Sequence, residues 1–148
     1  MMASRRAPVG VRDAAPRAGP IEVRHVDGEE YEIRIQGHRV RVDQPTEYGG
    51  HDRGPTPTDL FVGSLAACVA FYAGRYLTRH GLGRDGLEVD TEFDMATDRP
   101  ARVSAIRITV RPPVGFPEER VAALAAVASH CTVHNSIVSD PKITVVVS

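Results

Sequence analysis

Two cysteines, Cys68 and Cys131, are the side chains of this 148-residue chain best suited to covalent chemistry, and they stand about sixty positions apart. The start of the chain lacks the apolar core of a secretory signal, so a cytoplasmic location is expected. In that setting two cysteines read as reduced thiols or a redox pair rather than a structural staple. Taken singly, each also reads as a small buried hydrophobe, the ordinary role of cysteine on an alanine-rich helix. His130, Cys131 and His134 lie close in sequence. Structural zinc usually takes four ligands at defined spacing, so no metal is expected there. The glycine-rich residues 49–54 lack the strand, glycine spacing and lysine of a phosphate loop, and no cofactor is expected.

Cys68 must be positioned by the segment 54–80, which carries no charged side chain between Asp59 and Arg75. Such a run reads as a helix apolar all round, hence buried. Thr56 or Thr58 suits its N-cap, with Asp59 in the first turn, a helix-start residue more readily than a catalytic one. Arg75, Arg79 and His80 suit its C-terminal end, and Gly81 and Gly83 offer left-handed stops. At 100° per residue, Gly63, Ala67, Ala70 and Gly74 form a small-residue stripe for close approach by another helix. Phe61, Leu65, Cys68, Tyr72 and Tyr76 form the opposite, larger stripe. Cys68 lies too deep in this helix to be ionised mainly by the helix dipole, and needs a cation nearby.

Before the helix, alternation in 21–26, 31–36 and 39–43, with turns at Asp27-Gly28 and Gly37-His38, predicts a three-stranded meander with one wet face. After it come strands over 87–95 and 103–111, the second with Val103, Ala105, Ile108 and Val110 as its apolar positions. A helix over 117–130 follows, with Val121, Leu124, Ala125 and Ala128 inward. Residues 131–138 continue that helix with a kink or start a third. Residues 142–147 read as a last strand. The order is βββ-α-ββ-α(α)-β, an α+β class with an antiparallel-rich sheet.

Residues 1–20, rich in Ala, Arg, Pro and Gly, read as a disordered tail, and 21–148 as one domain. A formal net charge of -1 with dispersed basic residues gives no field for nucleic acid. No apolar run reaches the length of a membrane span, so no membrane partner is expected.

Two segments together resemble a known family. Gly54-Pro-Thr-Pro-Thr-Asp-Leu-Phe-Val-Gly-Ser-Leu-Ala-Ala-Cys68 is similar to the G-P-x-P-x-E-L-L-x-x-x-L-x-A-C segment of OsmC-like proteins, and Cys131-Thr-Val-His134 to their C-P-V-H segment. That family includes osmotically inducible and organic hydroperoxide resistance proteins. The resemblance implies an intertwined homodimer with long central helices packed inside wrapping sheets. It also implies a thiol peroxidase acting on organic hydroperoxides, or hydrogen peroxide, with Cys68 peroxidatic and Cys131 resolving. A sulfenic acid on one thiol would condense with the other, and an external dithiol would reopen the bridge.

The hydroperoxide resistance proteins pair an early-strand Arg with a Glu directly after the second Pro of the motif, where this chain has Thr58; Asp59 follows one position later. Arg39, Arg41, Arg53 and Arg75 are the substitute cations, His134 reads first as a hydrogen-bonding group near the helix start and second as a group that tunes Cys131, and Phe61, Leu65, Phe71 and Tyr72 are the apolar surroundings of a substrate. The departure leaves a second reading open: a non-enzymatic dimer that binds an apolar small molecule or responds to redox state.

Overall fold

Alternation builds the first sheet as expected: β1 (Ile21–Asp27), β2 (Glu30–Ile35) and β3 (His38–Val42) pair antiparallel in the order β1-β2-β3. The computed structural model describes residues 20–148; the expected tail over 1–20 lies, Pro20 apart, outside them. Val23 pairs with Ile33 and Ile33 with Val40, so the apolar residues line one face. A bulge between His25 and Asp27 takes up Val26, which is why alternation fails there. The second turn is centred on Gln36-Gly37, one residue earlier than expected. Both residues have positive φ, 47° and 84°, the twist that a tight hairpin needs.

The central helix α1 runs Pro57–Arg79. Thr56, not Thr58, caps it: Thr56 Oγ1 accepts from the Asp59 N–H at 3.1 Å, and Asp59 Oδ2 accepts from the Thr56 N–H at 2.9 Å. This reciprocal box satisfies two backbone donors at once. At the other end Gly81 takes φ 70° and the Leu82 N–H bonds the Leu77 carbonyl at 2.9 Å, a left-handed stop.

α1 packs on a second sheet, β4 (Glu88–Met95) with β5 (Val103–Arg111), and on α2 (Val121–Ala128) and α3 (Thr132–Val138). Ala73, 0% exposed, clusters with Tyr76 and Leu124, and Leu77 is likewise 0% exposed. By length and composition α1 could cross a membrane; in this fold it is the helix around which the core is built.

Three expectations in this half of the chain are corrected. A register shift at Asp94/Met95 turns Ile106 inward and leaves Ala105 exposed. The helix expected over 117–130 divides into a 3-10 turn, Glu118–Arg120, and α2. Its buried residues are Leu124 and Ala128, while Val121 and Ala125 are exposed. Of the two forms expected for residues 131–138, the separate helix is the one present, with Cys131 as its N-cap.

The last strand does not form. Residues 140–148 have no regular structure, and Ile143, Val145, Val146 and Val147 are 81–99% exposed. A strand needs a ladder partner, and neither sheet of this chain takes the segment in.

α1 also has an open side, contrary to the expectation of full burial: Phe61 is 44% and Phe71 51% exposed, with Gly63 and Ala67 bare beside them. The small-residue stripe therefore divides. A Cβ at Gly63 would meet nothing within 4 Å, whereas one at Gly74 would come 3.1 Å from an Arg84 guanidinium nitrogen. Only the N-terminal half of the stripe is open to a partner.

Candidate functional site

Packing across α1, the second sheet and the start of α3 brings the two cysteines together. Leu65, Val69, Ala128 and Cys131 form one buried cluster, and Cys68 and Tyr72 pack against it. Both sulfurs are thiols. Cys131 is 0% exposed and Cys68 half-buried.

Cys131 holds its place because it starts a helix. Its backbone is extended, φ -73° and ψ 160°, and its Sγ accepts the His134 N–H at 3.4 Å in the manner of a capping oxygen. Burial pushes the Cys131 thiol above its ordinary value; the His134 N–H pulls it back, and the neighbouring Cys68 thiol pushes it further up. A buried, protonated Cys131 beside a more accessible Cys68 sets an order of reaction. With iodoacetamide at pH 8, Cys68 is expected to be alkylated about tenfold faster than Cys131, read by peptide mass spectrometry; equal rates would contradict the arrangement.

Of the supporting candidates, Asp59 is engaged in the capping box of α1. His134 reaches Cys131 through its backbone N–H rather than its ring, and its Nδ1 is buried without a hydrogen-bond partner. The ring lines an apolar cleft of about 610 Å³ between α1, β5, α2 and α3, together with Phe61, Leu65, Val69, Ile106 and Leu124. Of the four expected substrate-facing residues, Phe61 and Leu65 line this cleft, and Phe71 and Tyr72 do not. The cysteines are not part of its wall, but Leu65, Val69 and Ala128 are common to the cleft and the thiol cluster.

The four candidate arginines are engaged elsewhere. Arg39 lies 4.0 Å from Glu32, and Arg75 sits over the Phe71 ring at 5.5 Å from its centroid. Arg53 lies 3.5 Å from Glu30 Oε2. Arg41 Nε lies 3.0 Å from Glu30 Oε1, a charge contact not aligned as a hydrogen bond.

Glu30, 1% exposed, and Asp43, 1% exposed, were not singled out in sequence. Glu30 joins β2 to the loop before α1. Asp43 folds that loop by accepting the backbone N–H groups of Gln44 at 2.7 Å, Arg53 at 3.1 Å and His51 at 3.2 Å. The close approach leaves no room at Gly50 or Gly54, where a Cβ would fall 1.9 Å and 2.4 Å from backbone oxygens of Gln44 and Arg41. A Pro-Gly loop with one aspartate before it is the signal that could have exposed Asp43.

Burial alone would raise the Asp43 carboxyl, but these backbone donors outweigh it and hold the group below the ordinary aspartate value. A folded-state value below the unfolded one stabilises fully above about pH 4 and loses that contribution as the pH falls through the folded value. Thermal melts between pH 6 and pH 2 are expected to show an acid limb that flattens in Asp43→Asn.

Among the described residues, no group of three or more His, Cys, Asp or Glu gathers as a metal site.

An α+β scaffold with a long central helix and two neighbouring thiols defines a class of protein. The sequence profile of OsmC-like protein matches residues 50–146, and the chain belongs to that family. Solved structures agree on the fold. A Psychrobacter arcticus protein, assigned provisionally to osmotic stress induction and detoxification response, has 23% identity and TM-score 0.72 over 78% of this chain and 85% of its own. The organic hydroperoxide resistance protein OsmC of Legionella pneumophila has 16% identity and TM-score 0.61 over 81% and 90%. An OsmC-like protein of Mycoplasma pneumoniae has 15% identity and TM-score 0.66 over 83% and 90%. No curated protein is significantly similar to the chain.

Proposed function

We propose that the chain is a cysteine-dependent peroxidase for organic hydroperoxides. The observation that carries this reading is the gathering of Cys68 and Cys131 into one cluster. The Cys68 thiolate attacks the distal peroxide oxygen. The O–O bond breaks, the alkoxide leaves and takes up a proton as an alcohol, and Cys68 becomes a sulfenic acid. The Cys131 sulfur then attacks the Cys68 sulfur, water leaves, and a disulfide forms. An external dithiol returns two electrons and two protons. The burial of Cys131 suits the resolving role, because it shields that thiol from peroxide while its sulfur stays beside Cys68; its proton leaves with the sulfenic hydroxyl as water. The apolar cleft favours a substrate with a hydrocarbon group over hydrogen peroxide.

The test is stopped-flow mixing of the reduced protein with cumene hydroperoxide, tert-butyl hydroperoxide and hydrogen peroxide, with dithiol in excess. Faster consumption of the organic peroxides supports the reading; no consumption of any would sink it.

The active form is a cytoplasmic homodimer in this reading. The bare half of α1, the exposed apolar residues of β1 (Ile21 65%, Val23 58%) and the unpaired C-terminal segment all suit cover by a second copy. The engagement of Arg39, Arg41, Arg53 and Arg75 away from the thiols favours the other reading, a non-enzymatic dimer that binds an apolar molecule or responds to redox state. A wild-type protein that dimerises but consumes no hydroperoxide would support it.

A further inference from the structure

α3 has seven residues, too few to be stable as an isolated helix. It must borrow its position, and its outer residues do little to fix it: Ile137 is 39% and Val138 64% exposed. At its first turn, however, Val133 packs into the thiol cluster, and Thr132 Oγ1 shares a 2.8 Å hydrogen bond with the Tyr72 hydroxyl. Tyr72 stands one helical turn after Cys68 on the same side of α1. Thr132 directly follows Cys131. The hydroxyl pair therefore runs alongside the sulfur pair and joins the same two elements.

We propose that Tyr72 and Thr132 are positioning residues, a latch that holds the start of α3 against α1 so that Cys131 meets Cys68 when the disulfide forms. This rests on the reading of the two cysteines as a redox pair, but not on the oxidant. Cys131 already has its sulfur oriented by the His134 N–H. The remaining freedom is the distance between the helices, and that is what the latch removes. Ordering both thiols beforehand raises their effective concentration toward each other.

The experiment equilibrates the full-length protein with reduced and oxidised glutathione. Protein dithiol and one glutathione disulfide exchange to protein disulfide and two glutathiones, so atoms and electrons balance without hydroperoxide. Tyr72→Phe and Thr132→Ala are each expected to lower the equilibrium constant for the protein disulfide by about fivefold, the scale of one exposed hydrogen bond. Thr132→Ser keeps the hydroxyl and is expected to restore the wild-type value.

Unchanged constants in both single variants, a Thr132→Ser protein as weak as Thr132→Ala, or a wild type that forms no disulfide would each overturn the latch. A wild type that forms the disulfide but consumes no hydroperoxide would sink the peroxidase and keep the latch. A protein that consumes hydroperoxide while its variants keep the wild-type constant would do the reverse.

Discussion

Cys68→Ser is expected to abolish consumption of cumene hydroperoxide, a loss of at least about a hundredfold, because a serine hydroxyl is not ionised near neutral pH and cannot reduce the O–O bond. Cys131→Ser is expected to behave differently. Its first turnover should proceed at close to the wild-type rate, leaving a sulfenic acid on Cys68 that a dimedone-type probe traps and mass spectrometry locates. Steady-state turnover with a dithiol that acts only on disulfides should then fail. The asymmetry follows from the structure: Cys68 is the more accessible thiol, while Cys131 is fully buried and held as a thiol. Equal loss of the first turnover in both variants would contradict the assigned roles, and retention of activity in Cys68→Ser would remove the peroxidase reading altogether.

Deletion of residues 142–148 is expected to weaken the proposed homodimer by at least a hundredfold. Ile143, Val145, Val146 and Val147 are almost wholly exposed in the single chain. Burying each such side chain is worth roughly 1.5 to 3 kcal/mol, and a strand added to a neighbouring sheet edge would bury them while pairing their backbone. The ordering of a bare segment offsets part of that gain. Light scattering coupled to size exclusion across a dilution series reads the change. A full-length chain that is monomeric at high concentration would refute the homodimer, and a truncated chain that dimerises as tightly as the full one would refute this segment as its cement.

The sequence carried much of this fold because its strongest signals are local. The capping residues, the uncharged run of α1, the alternation of β1 to β3 and the glycine stop at Gly81 each act within a few neighbours, and each appears where its chemistry requires. The errors lie where a distant partner decides. Residues 142–147 alternate like a strand, but a strand exists only against another edge. The side chains of β5 could not be placed by period alone, because the bulge opposite Asp94 and Met95 resets which face Ile106 meets. Cys68 and Cys131 could be named from their types and motifs, whereas Tyr72 and Thr132 meet only after α3 has docked. Glu30 reads in sequence as one more charged residue at a turn, and its burial depends on two arginines brought in from β3 and from the loop before α1.

That buried glutamate says something about how the first sheet is attached. β1 to β3 contact mainly one another, whereas α1 packs on β4, β5, α2 and α3. Glu30 on β2 is gripped by Arg41 of β3 and by Arg53 of the loop that leads to α1, whose side chains are 52% and 55% exposed. A clasp made of half-wet charges softens as ionic strength rises and the Debye length shrinks from about 10 Å at 0.1 M toward about 3 Å at 1 M. The core around Ala73, Tyr76 and Leu124 is made of apolar contacts and does not respond in that way. Dissolved electrolyte therefore loosens the hold of β2 on the loop that leads to α1, as it loosens the exposed ion pairs across β4 and β5, while the apolar core keeps its grip.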